Sequence, residues 1–246
     1  MGNEPCESLP WDSGFFGFGV ARVRGAELTA ARCPEIDAWC RGHGVACLYF
    51  GARSDDAATA RLAEANGYKL ADVRLTFERE PDYCGLEPAA VRAVRAADVP
   101  GFKTIARESY GDSRFYFDER FPRAKCDELY ELWIEKSCTQ AISGIGAVLV
   151  WEDQGAGQAF VTCGVKGNAG SIGLVGVARA ARGGGVGKGL VDAALAWFLE
   201  QGITRVTVVT QARNIAAQRL YQRCGFLTCQ VEMVYHKWFD GAGDGR

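Results

Sequence analysis

Arg182-Gly183-Gly184-Gly185-Val186-Gly187 stands between a strand-like run, Ser171 to Val177, and a stretch with apolar residues at helical spacing: Leu190, Val191, Ala194, Leu195, Trp197 and Phe198. A glycine turn opening a helix leaves first-turn N–H groups unpaired and aimed at one spot, where the helix dipole also favours negative charge. The chemistry of such a spot is anion binding, most often of phosphate. A second pair with chemical potential is Asn214 and Tyr221, seven residues apart. Asn214 stands where it can cap a helix, and Tyr221 follows two turns later on nearly the same face.

The familiar phosphate loops fail letter by letter. A Walker A loop needs glycine where Arg182 stands and Ser or Thr where Gly189 follows Lys188. The dinucleotide fingerprint needs glycine three residues after Gly185 or Gly187, where Lys188 and Leu190 stand. The Arg-x-x-Gly-x-Gly spacing, within "VARAARGGGVGKGLVDAAL", resembles the pyrophosphate loop of the GNAT acyltransferases over its whole length. A glycine-rich surface turn is the plain alternative, and the flanking strand and helix speak against it.

The elements that must hold this loop can be read around it. Ala147 to Trp151 and Gln158 to Lys166 read as strands. Asn168-Ala169-Gly170 turns into the strand ending at Val177. After the loop helix come strand Thr204 to Thr210, helix Ile215 to Arg223 and strand Cys229 to Lys237. Upstream, "AAVRAVRAADVPGFKTIARESY" reads as a strand and a helix, with Asp98 as N-cap and Pro100 in the first turn.

Sliding the sequence on itself gives a match at an offset of 158 residues, the separation of Trp39 and Trp197. Gly44 falls on Gly202, Arg61-Leu62 on Arg219-Leu220, Gly67 on Gly225 and Val73 on Val231. Each copy reads helix, glycine stop, strand, helix, glycine stop, strand. Opposite the loop, the first copy has Arg24-Gly25-Ala26-Glu27-Leu28-Thr29, which lacks both loop glycines, and opposite Tyr221 it has Ala63. The first copy is therefore expected to keep the scaffold without the cofactor. "EPDYCGLEP" breaks all periodicity, so the expected division is residues 1–86, a degenerate GNAT-like domain, and residues 87–246, the catalytic one. The expected fold class is α/β (α+β): a mixed, mostly antiparallel sheet flanked by helices.

Composition narrows the class. The formal net charge of −2 gives no basic footprint for nucleic acid. No apolar run reaches membrane-spanning length, and Met1-Gly2-Asn3-Glu4-Pro5-Cys6 carries no apolar signal core. Ten cysteines without a Cys-x-x-Cys pair, beside two histidines, argue against a metal site. Cys47, Cys163 and Cys229 fall in apolar strands, where a thiol acts as a small hydrophobe. The expectation is a reduced, soluble, cytoplasmic enzyme.

The GNAT resemblance implies acetyl-CoA as donor. The amides from Gly183 to Gly187, with Arg182 and Lys188, would hold the diphosphate. The pantetheine arm would pair with main-chain groups around Val175 and Val177 like an added edge strand. That strand would splay from Thr204 to Thr210 and leave a slot for the arm. "NIAAQRLYQRCGF" is similar to the superfamily's Asn-x-x-Ala-x-x-x-Tyr-x-x-x-Gly-Phe segment. This places Asn214 and Ala217 beside the arm and makes Tyr221 the general acid toward the leaving sulfur. With ordinary values of about 10 for the phenol and about 8.5 for a thiol, full transfer is uphill by about 2 kcal/mol, so hydrogen-bond donation is the safer role. No general base is singled out among Glu108, Asp112, Asp118 and Glu119. His43 and His236 read as structural.

The segment "YGDSRFYFDERFPRAKCDELYELWIEKSC" holds Arg114 and Arg120 among Phe115, Tyr116, Phe117 and Phe121, a set able to bind a diphosphate and stack a base or sugar. A half-buried aromatic helix face with solvated arginines is the alternative. The N-terminal "LPWDSGFFGFGVARV" adds a second aromatic cluster that includes Phe16. Over nearly its full length the chain resembles the dTDP-4-amino-4,6-dideoxygalactose (dTDP-fucosamine) N-acetyltransferases. The resemblance rests on Trp11 to Gly17, Ser113-Arg114-Phe115, Tyr130 and "WIE" at Trp133. It implies a nucleotide-linked amino sugar as acceptor, with Arg114, Phe115, Tyr116 and Phe16 as the candidate residues to hold it; the sequence leaves the oligomeric state open, a homodimer included. Two rivals stay open: a GNAT enzyme acting on another amine, peptide or antibiotic, and a non-catalytic acyl-CoA-binding module.

Overall fold

The computed structural model describes residues 4–82 and 90–239. In chain order the elements are β1 (Cys6–Ser8), α1 (Pro10–Phe16), β2 (Gly19–Val23), α2 (Arg32–Gly42), β3 (Val45–Arg53), α3 (Ala57–Ala65), β4 (Lys69–Arg79) and β5 (Val91–Ala93). They continue as α4 (Val99–Ser109), α5 (Arg114–Phe117), α6 (Arg123–Ile142), β6 (Ala147–Asp153), β7 (Ala156–Lys166) and β8 (Ala169–Val177). The last four are α7 (Val186–Glu200), β9 (Arg205–Gln211), α8 (Ile215–Arg223) and β10 (Leu227–Trp238). The architecture is the mixed α/β one, with mostly antiparallel pairing.

The chain forms two compact units that cut across chain order. The first comprises residues 1–74, 114–125 and 231–246, and the second residues 75–113 and 126–230. In the first, β2 pairs antiparallel with β1 and parallel with β3. The outer part of β10 adds to β3, antiparallel, from Glu232↔Arg53 to Trp238↔Cys47. A strand from late in the chain thus joins strands from early in it. The expected boundary at residue 86 lies outside the described residues.

In the second unit β5, β6, β7 and β8 pair antiparallel in sequence, and β9 joins β8 in parallel. Helix α7 buries Val186, Leu190, Val191, Ala194, Leu195 and Phe198, the apolar stripe of the sequence with Trp197 at its margin. It sits tightly on the sheet at Gly189, where a Cβ would come within 2.6 Å of the Trp151 ring.

From the crossover helix onward the two copies of the repeat align element for element, α2 on α7, β3 on β9, α3 on α8 and β4 on β10, whereas β2 displaced by 158 residues runs past the end of β8. Displaced by 158 residues, the bounds of α3 become those of α8, and Lys69 at the start of β4 becomes Leu227 at the start of β10. Each copy has a parallel strand pair joined by a crossover helix, β2–α2–β3 and β8–α7–β9. The helix stops Gly44, Gly67, Gly202 and Gly225 all have positive φ.

Two local expectations are corrected. Asp98 stands at the α4 N-cap without bonding its first turn. Its carboxylate turns back to Arg92, at 2.8 and 2.9 Å, and to the Arg95 amide at 2.7 Å, because a charged pair outcompetes a neutral cap. Cys229 is exposed rather than core, since β10 opens with four exposed residues. Cys47 and Cys163 are buried.

Candidate active site

The glycine segment forms an open mouth in the second unit. After β8 the chain makes a 3-10 turn at Arg179–Ala181, and Arg182 then extends with its Nε donating to the Val177 carbonyl at 3.0 Å. Gly183 and Gly185 adopt φ of +88° and +80°, a region side chains disfavour. Gly185 is the N-cap of α7, and the helix's first internal bond is recorded from the Gly189 amide to the Gly185 carbonyl, 3.0 Å. Among the described residues no acceptor is recorded for the amides of Gly183, Gly184, Gly185, Val186 and Gly187. A Cβ built on any of the first three glycines meets nothing within 4 Å, so a ligand can approach the backbone directly. Lys188 pairs with Asp192 one turn along.

The mouth leads into a slot between two strands. Pairing of β8 with β9 runs from Ala169↔Arg205 to Ile172↔Val208 and stops there, although both strands continue. A register shift lies in the same place, where β8 spends three residues against two of β7. The Thr162 hydroxyl fills the gap by accepting the Leu174 amide at 2.8 Å. Gly173 is needed for this, because a Cβ would sit 2.7 Å from that oxygen. The Ala178 amide bonds the Gln158 carbonyl on β7. Strand alternation therefore turns the N–H groups of Val175 and Val177 the other way, into the slot. The slot measures about 710 Å³ and is lined by the glycine mouth, β8, the end of β9 and one face of α8.

Helix α8 brings its two named residues to that face. The Asn214 side chain accepts the Ala217 amide at 3.0 Å, which caps the helix, and Asn214 lines the slot. Tyr221, 5% exposed, packs its ring beside Phe77 and Phe226. Among the described residues nothing bonds its hydroxyl, and that oxygen is not sealed from solvent. Burial, with Cys224 nearby, pushes the phenol well above its ordinary value, so the group is a firmly held proton. Tyr110, unmarked by any spacing in the sequence, also lines the slot: its hydroxyl donates to the Val175 carbonyl at 3.0 Å and its ring stacks on Tyr130.

The residues expected at the acceptor lie in the first unit, the cofactor residues in the second. Phe16 and Phe115 are buried, their rings 5.5 Å apart and both packed on Phe121. Their faces are thus spent on one another. Each cation of residues 114–125 lies over a ring: Arg114 over Tyr49 and Phe115, Arg120 over Trp238, Arg123 over Tyr116, Lys125 over Phe15. Of the four carboxylates without an assigned role, Asp118 accepts from His236 Nδ1 at 2.6 Å and from Trp238 Nε1 at 2.9 Å. Burial pushes Asp118 up, but those hydrogen bonds outweigh it and hold the carboxyl below its usual range. Burial lowers His236, against the pull of Asp118 and with that of Arg114. Asp112 lines the slot, and its carbonyl accepts from Arg213.

The first copy's equivalent of the mouth is occupied from within. Arg32 donates to the carbonyls of Arg24 and Glu27, and the Leu28 amide bonds the Thr59 hydroxyl at 3.1 Å. Among the described residues no group of three or more His, Cys, Asp or Glu side chains could hold a metal, and no helix is long and apolar enough to cross a membrane.

The spore coat polysaccharide biosynthesis protein SpsD of Bacillus subtilis is 28% identical over 184 residues, covering 69% of this chain and 56% of that protein. A mycothiol acetyltransferase of Streptosporangium roseum is 37% identical over 68 residues, 28% of this chain and 20% of that one. The chain thus spans about half, or less, of the length of these relatives. Among solved structures, a GCN5-related N-acetyltransferase from Sphaerobacter thermophilus shares the fold, with a TM-score of 0.66 at 18% identity, covering 95% of this chain and 76% of that one. The sequence profile of the acetyltransferase (GNAT) family matches residues 104–226, half of the chain and every element lining the slot, and to that family the chain belongs.

Proposed function

We propose that this GNAT-family acyltransferase moves an acetyl group from acetyl-CoA to the amine of a nucleotide-linked amino sugar of the dTDP-4-amino-4,6-dideoxyhexose type. The observation that carries the donor half is the run of unbonded amides from Gly183 to Gly187, opening into the slot between β8 and β9 beside the Tyr221 hydroxyl. The mouth would seat the diphosphate, and the slot-facing amides of Val175 and Val177 would pair with the pantetheine arm. The amine nitrogen attacks the thioester carbonyl carbon, a C–N bond forms and the C–S bond breaks. Tyr221 donates its hydrogen bond to the departing thiolate, and the nitrogen's extra proton passes to water.

The acceptor half is supported by the sequence resemblance around Trp11 to Gly17 and Ser113 to Phe115, and by a relative named for polysaccharide biosynthesis. The mycothiol acetyltransferase match is too short to speak for an acceptor. Within this reading residues 87–246 are the catalytic domain and residues 1–86 a degenerate copy; the Arg32 clamp on the first copy's loop supports the loss of its cofactor. Thiol release from acetyl-CoA, measured across dTDP- and UDP-amino sugars, peptide amines and antibiotic amines, tests both halves. Turnover confined to peptides or antibiotics overturns the acceptor, and acetyl-CoA binding without thiol release across the panel makes the protein a binding module.

A further inference from the structure

We propose that Tyr110 is the end wall of the acyl pocket and restricts the donor to short acyl groups. This rests on the donor half of the proposed function. The direction of the slot is fixed by its ends. Arg182 of the mouth bonds the Val177 carbonyl, so an arm leaving the mouth passes Val177 first. Val175 lies two residues further along the strand, about 7 Å on. There the Tyr110 hydroxyl sits on the Val175 carbonyl at 3.0 Å. A chain of acyl carbons extending beyond the thioester therefore meets the Tyr110 ring.

That ring is not free to step aside. It stacks on Tyr130 with centroids 4.5 Å apart and planes within 14°. Tyr130 is 5% exposed and sets its edge against Trp133, 5.3 Å away. Tyr110 also borders Tyr221, and burial first, then the neighbouring phenols of Tyr221 and Tyr130, raise its hydroxyl well above its ordinary value. Moving the ring would break a part-buried hydrogen bond and the stack together. In an open apolar pocket each added methylene would tighten binding about fourfold; against this wall the trend reverses.

The test is calorimetric titration of the full chain, its Tyr110→Ala and Tyr110→Leu variants and Tyr110→Phe with CoA, acetyl-CoA, butanoyl-CoA and hexanoyl-CoA. No acceptor is needed. The ratio of hexanoyl-CoA to acetyl-CoA affinity should rise by at least about tenfold in Tyr110→Ala or Tyr110→Leu, and stay within about threefold of the parent in Tyr110→Phe, which keeps the ring. Measurable CoA binding by each variant reports an intact slot, and the hexanoyl-to-acetyl ratio is read within each variant. An unchanged ratio in a truncated variant that still binds CoA overturns the wall. A parent that binds no CoA overturns the donor reading, and the wall with it. The Leu variant carries the test if the Ala variant does not fold.

Discussion

Asp56 and Asn214 hold one position in two copies of the same element: each side chain accepts the amide three residues on, Thr59 and Ala217, both at 3.0 Å. The copies differ in what lies beside the cap, a buried Ala63 in one and Tyr221 in the other. Asn214→Ala should cost about 1 kcal/mol of stability, the usual worth of an N-cap, and Asp56→Ala should lower stability in the same direction. Only Asn214→Ala should also weaken acetyl-CoA binding. Chemical denaturation and calorimetry on the two variants read these effects separately, and equal binding losses would remove Asn214 from the slot.

Tyr221→Phe keeps the ring against Phe77 and Phe226 and deletes the hydroxyl that the proposed function assigns to the leaving sulfur. Turnover should fall by roughly ten- to ten-thousand-fold with acetyl-CoA affinity nearly unchanged. Steady-state kinetics beside equilibrium binding decide it; near-parental turnover would strip the phenol of its role.

Gly185 and Gly25 share φ of +80° in the two loops. An alanine at either place should cost about 1–2 kcal/mol through backbone strain. Gly185→Ala should in addition weaken CoA binding by about tenfold or more, since the mouth's amides would turn from a common focus. Gly25→Ala should leave binding alone. Calorimetry on both variants separates strain from recognition.

His236 sets a pH dependence of stability. It is one of two histidines, 1% exposed, and burial holds it below its ordinary value of about 6.5. Over the interval between its folded and unfolded values the unfolded chain binds more protons, so stability rises with pH. The contribution is complete above about 6.5 and is lost as pH falls through the lowered folded value. Asp118, also lowered, extends the loss below about 3.9. The groups facing the imidazole include Asp118, which opposes the shift, and Arg114, which adds to it. The Tm of the parent should drop between pH 7 and pH 5, and His236→Gln should flatten that slope. An equal slope in the variant would assign the acid sensitivity elsewhere.

What the sequence made legible was local. Helix α8 begins and ends at the residues its capping Asn214 and apolar spacing predict, and the strand, glycine turn and helix around Arg182 follow from spacing alone. What it hid was set by contacts across the fold. Asp98 chose Arg92 over its own helix because a charged partner came within 2.8 Å. Phe115 and Phe16 had the composition of a ligand platform, yet each found another ring to pack on. Tyr110 carried no motif at all, for its importance comes from Val175, sixty-five positions away in sequence. The bulge that opens the slot depends on one hydroxyl, Thr162, opposite one glycine, Gly173, a pairing no periodicity announces.

The parting of β8 from β9 after Ile172 and Val208 leaves a seam open to a guest. Under the proposed function such a sheet would be finished by its cargo. Affinity then comes from zipping up an existing ladder instead of deforming the protein, and loading should stiffen the seam, slowing deuterium uptake at Val175 and Val177.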